Sequence, residues 1–522
     1  MKNTILTILL LVFYSLAFSQ AGFLDSTFGT GGKVTTDFYQ NGLNYGTCLA
    51  IQSDNKSLAG GYVYNGTDYD FALVRYNVNG TLDTSFGNGG MVTTNVSNND
   101  YANAIAIQSD GKILLAGGVS GVTNNPNSFD FGIVRYNADG SLDPSFGYGG
   151  IVITNIYTDQ FSVKSSESIS SIAIQADSKI LASGCSTYGG ATSIYIARYD
   201  PSGFLDVTYG DTGLAGGYGV GSDQVLENPV PISLLSNGKS IVGFTARNSS
   251  TGDYGQLYRL LTNGKIDTSY HSISLLTYPN KLIAEPNMTT LVVGNYTSSG
   301  QSVGLSRLDS TGSADHSLAP YGSATFRFFG HDSYGNDAVE QPDGKIVIVG
   351  YYNTSQQDSF ALARLENNGT VDNTFGNAGE IVTYFARSNN YAYAVALQSD
   401  GKIVVNGAAS QGTFGQALPS DFATSRYLSS PVTPTSVTNI STNGEFVIYP
   451  NPSNGSFKID WESALTSTVL MTIYDLEGRE LSGALIAANS TEYSFNEHIN
   501  PGVYLVKIND GEKINLVKIV IN

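Results

Sequence analysis

Short apolar runs, each ended by a glycine-containing turn, dominate the chain from residue 22 to 428. A representative stretch contains the runs ANAIAIQ (102–108), KILLAGG (112–118), FGIVRY (131–136) and GIVIT (150–154). The turns after the first and third runs read Ser-Asp-Gly-Lys and Asn-Ala-Asp-Gly, which are common hairpin signals. Short apolar runs between such turns predict antiparallel strands, four to each unit.

This four-strand unit is repeated, and two marker residues define its copies. An arginine near the end of the third run recurs at Arg75, Arg135, Arg198, Arg259, Arg307, Arg364 and Arg426. An aspartate stands eight residues after each of the first six, at Asp83, Asp143, Asp206, Asp267, Asp315 and Asp372. Seven copies of a four-stranded antiparallel unit predict an all-β fold, a seven-bladed β-propeller.

The two ends of the repeat array complement each other. Residues 24–36 (LDSTFGTGGKVTT) are the tail of a unit without a head, and residues 423–430 (ATSRYLSS) are a head without a tail. Joined, they complete the seventh blade with an N-terminal strand, which removes exposed sheet edges. The interval from Arg259 to Arg307 is shorter than that from Arg75 to Arg135, 48 residues against 60. We therefore expect the fifth copy to form a shortened or irregular blade.

Three segments lie outside the repeats. Residues 1–19 combine Lys2, an apolar run and small residues before Gln20, which predicts a cleavable export signal. Residues 22–428 are assigned to the propeller, residues 429–444 to a linker rich in Pro, Ser and Thr, and residues 445–522 to a small β-sandwich. No later run has the roughly 20 apolar residues of a membrane span, so we expect the mature chain to lack a transmembrane segment.

Composition narrows the possible partners. The net charge is −18, with only 13% charged residues, which argues against nucleic acid and anionic membranes because both need a basic footprint. The two cysteines, Cys48 and Cys185, fall in different copies, and we expect them to remain buried free thiols. We expect the mature protein to be a monomer.

Loop lengths predict where a ligand would bind. The first-to-second and third-to-fourth turns keep nearly constant lengths, whereas the other two connections vary. Variable loops on a rigid frame commonly carry binding residues, and these loops are rich in tyrosine and asparagine. The candidate ligand-binding residues are Tyr62, Tyr64, Tyr69, Tyr157, Tyr351 and Tyr352. The alternative is that these loops are simply solvated.

Catalytic and metal-binding chemistry has little support in the sequence. A catalytic Arg–Asp pair would be needed once, so its repetition favours a structural salt bridge or turn clamp. Three of the four histidines, His271, His316 and His331, lie in or beside the irregular copy, and no nucleophile elbow or zinc motif occurs. The sequence identifies no catalytic residue and leaves catalysis open, although we expect a binding protein more than an enzyme, and we expect no cofactor. Calcium at residues 137–143 is an alternative, although turn chemistry explains that segment better because other copies lack the pattern.

Two family resemblances follow from ordered motifs. Tyr-Pro-Asn-Pro (449–452), Ile-Tyr-Asp-Leu-x-Gly (473–478) and Pro-Gly-Val-Tyr (501–504) resemble the type A sorting domain of type IX secretion. This resemblance implies a Bacteroidetes-type origin, the type IX machinery as partner of residues 445–522, and release or attachment at the outer cell surface. The repeats resemble the delta-60 repeat family, which implies a propeller-like fold but no established activity.

Three functions remain open at this point. We expect a secreted or cell-surface propeller that binds an extracellular glycan or protein, in adhesion or capture, through variable loops on one face. The alternatives are an extracellular hydrolase or lyase with carboxylates at the central channel, and a structural surface protein. Charged side chains converging on the channel would favour an enzyme, whereas an aromatic, weakly charged groove would favour binding.

Overall fold

The computed structural model describes residues 21–521, with gaps at 40–41, 121–127, 157–164, 219–222, 227–228, 272, 298–299, 355–356, 386–388, 411–418, 430–445, 452, 454, 462–463, 466–467, 475–479, 497–498, 500–501 and 510–513. The predicted export signal, residues 1–19, lies outside the described residues. The chain divides into two compact units, one spanning Gln20–Ser430 and the other containing Pro431–Asn522. Each unit is described by itself below.

The larger unit begins with a short strand, β1 (Lys33–Thr36), and continues into three regular four-stranded blades. Blade 1 contains β2 (Asn44–Ile51), β3 (Ser57–Tyr64), β4 (Tyr69–Tyr76) and β5 (Met91–Thr94). Blade 2 contains β6 (Asp100–Ile107), β7 (Ile113–Ser120), β8 (Phe129–Tyr136) and β9 (Ile151–Thr154). Blade 3 contains β10 (Ser165–Ile174), β11 (Ile180–Tyr188), β12 (Ala191–Tyr199) and β13 (Leu214–Tyr218).

Blade 4 is the irregular one. Its first strand is broken in two, and its strands are β14 (Gln224–Val225), β15 (Ile232–Leu234), β16 (Ser240–Asn248) and β17 (Gly252–Leu260). At the place of an outer strand, a single bridge joins Gly255 to Leu275. Blade 5 retains four strands, namely β18 (Tyr278–Ala284), β19 (Thr290–Tyr296), β20 (Ser302–Leu308) and β21 (Ser323–Phe326). The missing residues between Arg259 and Arg307 are thus lost from the edge of blade 4, and blade 5 is not shortened.

The last blade is closed by the beginning of the chain. Blade 6 contains β22 (Asp332–Glu340), β23 (Ile346–Asn353), β24 (Asp358–Leu365) and β25 (Glu380–Thr383). Blade 7 contains β26 (Asn389–Leu397), β27 (Ile403–Ser410) and β28 (Ser420–Tyr427), and its fourth strand is β1. β1 pairs antiparallel with β28, from Lys33 opposite Ser425 to Thr36 opposite Phe422. Closure by the N-terminal strand is confirmed.

The repeated arginine ties each blade to the next. In blade 1 the Arg75 Nε donates to Asp83 Oδ2 at 2.7 Å, and Lys56 Nζ lies 2.9 Å from the same oxygen. The Arg75 guanidinium also stacks over the Phe86 ring, 4.4 Å from its centroid. Its Nη1 donates to the Ala138 carbonyl of blade 2 at 2.5 Å. The predicted structural role of the Arg–Asp pair is confirmed here.

This clamp recurs around the ring. The arginines of all seven blades donate Nη1 to a turn carbonyl of the following blade, at Ala138, Pro201, Thr262, Ser310, Asn367, Ser429 and Val78. In blade 7 the partner carboxylate belongs to Asp25, from the N-terminal segment, with Arg426 Nη2 at 2.9 Å. A buried guanidinium saturated by carboxylate, hydroxyl and carbonyl acceptors is the condition under which a buried charge is tolerated.

In blade 5 the repeated arginine pairs with a different carboxylate. Arg307 donates to the Glu285 carboxylate, with Nη2 to Oε1 at 2.8 Å, instead of to Asp315 eight residues on. Glu285 opens the turn where other copies have Gln-x-Asp-Gly-Lys, and Leu318 stands where they have the stacked aromatic ring. The Arg–Asp prediction is therefore wrong for this copy. The function of the clamp is kept because one carboxylate replaces another at the same guanidinium.

The smaller unit is a two-layer β structure. One sheet contains β29 (Phe446–Tyr449), β30 (Phe457–Trp461) and β33 (Glu492–Phe495). The other contains β31 (Val469–Tyr474), β32 (Glu480–Ile486), β34 (Gly502–Asn509) and β35 (Ile514–Ile521). Apolar side chains of both sheets form one core, including Phe457, Ile459, Met471 and Val506, as a sandwich requires.

Neutralising the clamp carboxylates is predicted to destabilise the propeller selectively. We expect Asp83→Asn and Glu285→Gln each to lower the free energy of unfolding by about 3 kcal/mol, because each leaves a buried guanidinium without its counter-ion. Asp315→Asn is the matched control, and we expect a loss below about 1 kcal/mol because Asp315 does not pair with Arg307. Denaturant unfolding curves measure the difference. Equal effects of E285Q and D315N would contradict the exchange of partner in blade 5.

The clamps also predict acid sensitivity. Burial alone would raise the pKa of Asp83, but hydrogen bonds from Ser85 and Lys56 and the charge of Arg75 outweigh it and hold that pKa below its ordinary value. The pKa of Asp143, Asp206, Asp267 and Asp372 is lowered in the same way. The unfolded chain therefore takes up protons first, and stability is expected to fall as the pH drops below about 5. Denaturation midpoints between pH 7 and 3 test this, with a shallower profile expected for Asp83→Asn. A flat profile for the wild type would overturn it.

Candidate functional site

Three of the predicted tyrosines form one cluster beside the central channel. Tyr62 of β3 contacts Tyr69 of β4 with ring centroids 5.6 Å apart, and Tyr64 contacts Tyr69 at 5.2 Å. The inner strands add two rings that the loop-based prediction missed. Tyr45 lies 5.1 Å from Tyr62, and Tyr101 lies 4.9 Å from it in an edge-to-face arrangement. Such aromatic pairs add stability beyond the area they bury.

A second cluster lies on blades 6 and 7. Tyr351 stacks on Tyr334 at 4.6 Å and meets Tyr391 edge-to-face at 5.0 Å. Tyr391 in turn lies 6.0 Å from Tyr393, whose pKa is raised well above its ordinary value by burial and by the neighbouring Tyr62, Tyr351, Tyr391 and Tyr45. Tyr393 also lines the same cavity as Tyr45 and Tyr62, so it lies between the cluster on blades 6 and 7 and the cluster on blades 1 and 2. We call the whole set, Tyr45, Tyr62, Tyr64, Tyr69, Tyr101, Tyr334, Tyr351, Tyr391 and Tyr393, the tyrosine arc.

The arc originates in the repeat itself. Six inner strands contain a β-bulge, at Thr47, Asn103, Ser170, Asn280, Asn336 and Tyr393. A tyrosine stands two residues before the bulge in five of them, at Tyr45, Tyr101, Tyr278, Tyr334 and Tyr391. Reading the copies against one another at this position, instead of searching the loops, would have revealed it.

The remaining predicted residues lie elsewhere. Tyr352 follows Tyr351 on β23 and points to the other side of the sheet, because side chains alternate along a strand. There it is 6% exposed in the core between blades 5 and 6, and His331 stacks on it at 5.3 Å. We leave Tyr352 out of the candidate site. Tyr157 lies outside the described residues.

Burial favours the protonated form of most phenols of the arc. Burial and the neighbouring Tyr45 and Tyr101 raise the pKa of Tyr69 to about 12. Burial also raises the pKa of Tyr45, Tyr62, Tyr101, Tyr334 and Tyr351. The arc therefore presents apolar ring faces and protonated hydroxyls, which can donate and accept hydrogen bonds.

The central channel encloses a cavity of about 720 Å³ whose lining includes Tyr45, Tyr62 and Tyr393. Bulge residues of the inner strands bond from blade to blade along its wall. Thr47 donates to the Ala102 carbonyl at 2.6 Å, and Asn336 donates to the Ala392 carbonyl at 2.8 Å. This polar ring of short uncharged side chains is therefore part of the scaffold.

Charge is scarce in the channel. Lys281 and Asp337 are the charged side chains among the described lining residues, and they pair with each other at 2.8 Å. Asp337 also accepts the backbone N–H groups of Val395 and Ala338, each at 2.9 Å. Its oxygens are thus held by the scaffold. Within the described residues, no group of three or more His, Cys, Asp or Glu side chains is arranged to hold a metal ion.

One buried carboxylate lies next to the arc. Asp100 precedes Tyr101, is fully buried, and accepts the Val96 N–H at 2.7 Å and the Ser97 N–H at 3.1 Å. Burial, together with the nearby Asp70 and Asp68, raises its pKa to about 6. Blades 1 and 7 carry Asn44 and Asn390 at the same position, three residues before the bulge. Asp100 therefore accepts hydrogen bonds from a loop. Its buried charge lowers the stability of the folded state, whereas the asparagines of blades 1 and 7 occupy this position without a charge.

Comparisons with known proteins agree with this architecture. Residues 52–86, 108–146, 175–209 and 341–375 match the family described as "Domain of unknown function (DUF5122) beta-propeller". Residues 447–522 match the family described as "Secretion system C-terminal sorting domain". The chain thus carries β-propeller repeats of the delta-60-like kind, followed by a type IX sorting domain.

The sorting domain places the protein at the cell surface or in the extracellular space. No helix in the described parts of the chain has the length and apolar character that a membrane crossing demands. The export signal at residues 1–19 and the Bacteroidetes-type origin stay predictions.

Solved structures with a similar fold are distant in sequence. They include the polysaccharide lyase Uly1 (12% identity, TM-score 0.43, 78% of this chain and 97% of that one). An α-L-arabinanase of Penicillium chrysogenum has 12% identity and a TM-score of 0.37, over 78% of this chain and 97% of its own. A Trypanosoma rangeli sialidase has 8% identity and a TM-score of 0.33, over 95% and 89%. We transfer no activity at this level of similarity. No curated protein sequence matches the chain significantly.

Asp100 provides a test of the electrostatics beside the arc. We expect Asp100→Asn to stabilise the protein by about 2 kcal/mol at pH 8, because it removes a buried charge whose pKa lies about two units above that in the unfolded chain. The sign follows from the raised folded-state pKa, which makes the wild type lose stability as the pH rises from about 4 through 6. Denaturation midpoints at pH 4 and 8 measure it, with exposed Asp110→Asn as control. A gain independent of pH would contradict a charged, desolvated Asp100.

Proposed function

We propose that this secreted propeller binds an uncharged extracellular ligand at the tyrosine arc, with a neutral glycan favoured over a protein segment. The supporting observation is the set of tyrosine rings across four blades, next to a channel whose described lining has one charged pair, Lys281 and Asp337, which is internally neutralised. Half-buried tyrosines offer apolar area and hydrogen-bonding hydroxyls at low entropic cost, which suits adhesion or capture.

Saccharide rings have the complementary chemistry. A pyranose has an apolar face of C–H groups and a rim of hydroxyls, so stacked and edge-on phenols can contact both. The partly exposed members of the arc are the residues to which we assign ligand contact. They are Tyr62, Tyr64, Tyr69, Tyr101, Tyr334, Tyr351 and Tyr393. Tyr391 is only 2% exposed, and its hydroxyl donates to Asp358 at 2.6 Å. We therefore assign it the role of positioning the neighbouring rings.

The enzyme alternative has weaker support. A hydrolase or lyase that uses carboxylates needs at least one that is free to act as acid, base or nucleophile. Asp337, the carboxylate among the described channel residues, is bound by Lys281 and two backbone N–H groups. Binding without chemistry therefore explains the described groups with fewer assumptions.

Ligand binding is testable on the full secreted chain with an array of neutral and charged glycans. We expect binding to neutral glycans, weakened about tenfold by Tyr62→Ala or Tyr101→Ala, which corresponds to about 1.4 kcal/mol. Tyr321→Ala is the control, because Tyr321 is 83% exposed and outside the arc. Calorimetry gives the affinities, and unfolding curves confirm that each variant is folded.

Four outcomes would overturn the proposal. Selective binding of charged glycans would contradict a neutral site, and equal loss in Tyr321→Ala would contradict the arc as its location. Cleavage of a bound glycan that is lost in Asp337→Asn would establish the enzyme alternative. Failure to bind any glycan or any extracellular protein would leave the structural surface protein.

A further inference from the structure

A second aromatic surface lies on the outer rim, between blades 2 and 3. Tyr148 precedes the outermost strand of blade 2, β9, and is 83% exposed. Phe204 lies in the third-to-fourth turn of blade 3 and is 49% exposed. Their rings meet at an interplanar angle of 88° with centroids 6.0 Å apart. They border a groove of about 310 Å³ that we call the rim groove.

The fold does not require these two aromatic residues. An identical hydrogen bond fixes the geometry at neighbouring interfaces, for example from the Gly147 N–H to the Ser202 carbonyl at 2.7 Å. Tyr148 directly follows the donor, Gly147, and Phe204 lies two residues after the acceptor, Ser202. At three other interfaces with this bond the two positions are polar, with Thr30 and Thr81, Asn88 and Ser141, and Asp211 and Lys265. At a fourth, where the Gly376 N–H donates to the Ala21 carbonyl, they are Asn377 and Phe23, so one ring is present there and not two. Blades therefore close without exposing two rings.

The lining of the rim groove specifies the ligand class. Its described lining has no charged side chain and is formed by Tyr148, Phe204, Ile153, Thr154, Asn155 and neighbouring apolar and glycine residues. The groove follows β9, because Tyr148 precedes that strand and Asn155 follows it. The Asn155 amide oxygen is buried and has no hydrogen-bond partner among the described residues, so a ligand hydroxyl can satisfy it.

We propose that the rim groove is a second binding site, for a neutral saccharide, independent of the tyrosine arc. The two perpendicular rings form a corner in which one face stacks on the C–H face of a sugar and the other ring borders its edge. A charged sugar would find no counter-ion among the described residues of the groove, and the net charge of −18 disfavours anionic ligands further. An exposed apolar surface of this kind commonly marks an interaction site.

The test uses the full secreted chain and four neutral hexasaccharides: cellohexaose, xylohexaose, mannohexaose and maltohexaose. The double variant Tyr148→Asn, Phe204→Ser installs the residues of the blade 1–2 interface, so we expect it to fold normally. We expect the Tyr62→Ala variant, in which the arc is weakened, still to bind at least one hexasaccharide at the rim groove, and the double variant made in that background to bind it at least tenfold more weakly by calorimetry. Tyr321→Asn, an equally exposed tyrosine elsewhere, is the matched control.

The two sites are separated by comparing variants. Tyr64→Ser in the arc is expected to leave the rim affinity unchanged, so failure of one site does not imply failure of the other. The proposal is overturned if, in the Tyr62→Ala background, the folded double variant binds as well as its parent, or if none of the four hexasaccharides binds. Binding of a proline-rich peptide at Tyr148 and Phe204 without any saccharide binding would also overturn it, in favour of a peptide site.

Discussion

The architecture depends on a buried guanidinium shared between neighbouring blades. Each repeated arginine uses one edge for a carboxylate of its own blade and another for a carbonyl of the next, as Arg135 does with Asp143 and Pro201. A charge so enclosed is costly to leave unpaired, so every blade interface must adopt one geometry. The repeat is therefore tolerant of change in its other loops, where no such charge has to be satisfied.

The blades combine conserved-length turns that hold the clamp with connections and turn positions that vary. The turns that carry the arginine, lysine and aspartate partners keep their length, whereas the opposite connections and a few turn positions are free to vary. The tyrosine arc lies beside the connections that vary in length. The rim groove lies at variable turn positions, where Tyr148 and Phe204 replace polar residues that the clamp does not involve.

Much of the fold could be predicted from spacing, because strand, turn and clamp recur together in each copy. The role of Glu285 could not be predicted in this way. Its contact with Arg307 joins different hairpins, and the described residues of the other blades have no equivalent pair at a fixed sequence separation. Tyr393 was missed because it lies at an inner-strand bulge and not in a loop. Tyr351 and Tyr352 were grouped by proximity in sequence, although alternation along a strand sends neighbours to opposite sides.

Closure by β1 has a kinetic consequence. The bond from Arg426 to Asp25 joins residues 401 positions apart, so it carries a large loop-closure entropy and forms only after the whole array is available. Until then β28 is an open edge whose backbone groups can pair with another chain. A propeller closed in this way therefore passes through an intermediate with an exposed sheet edge. The rate at which its first strand returns limits the time available for aggregation.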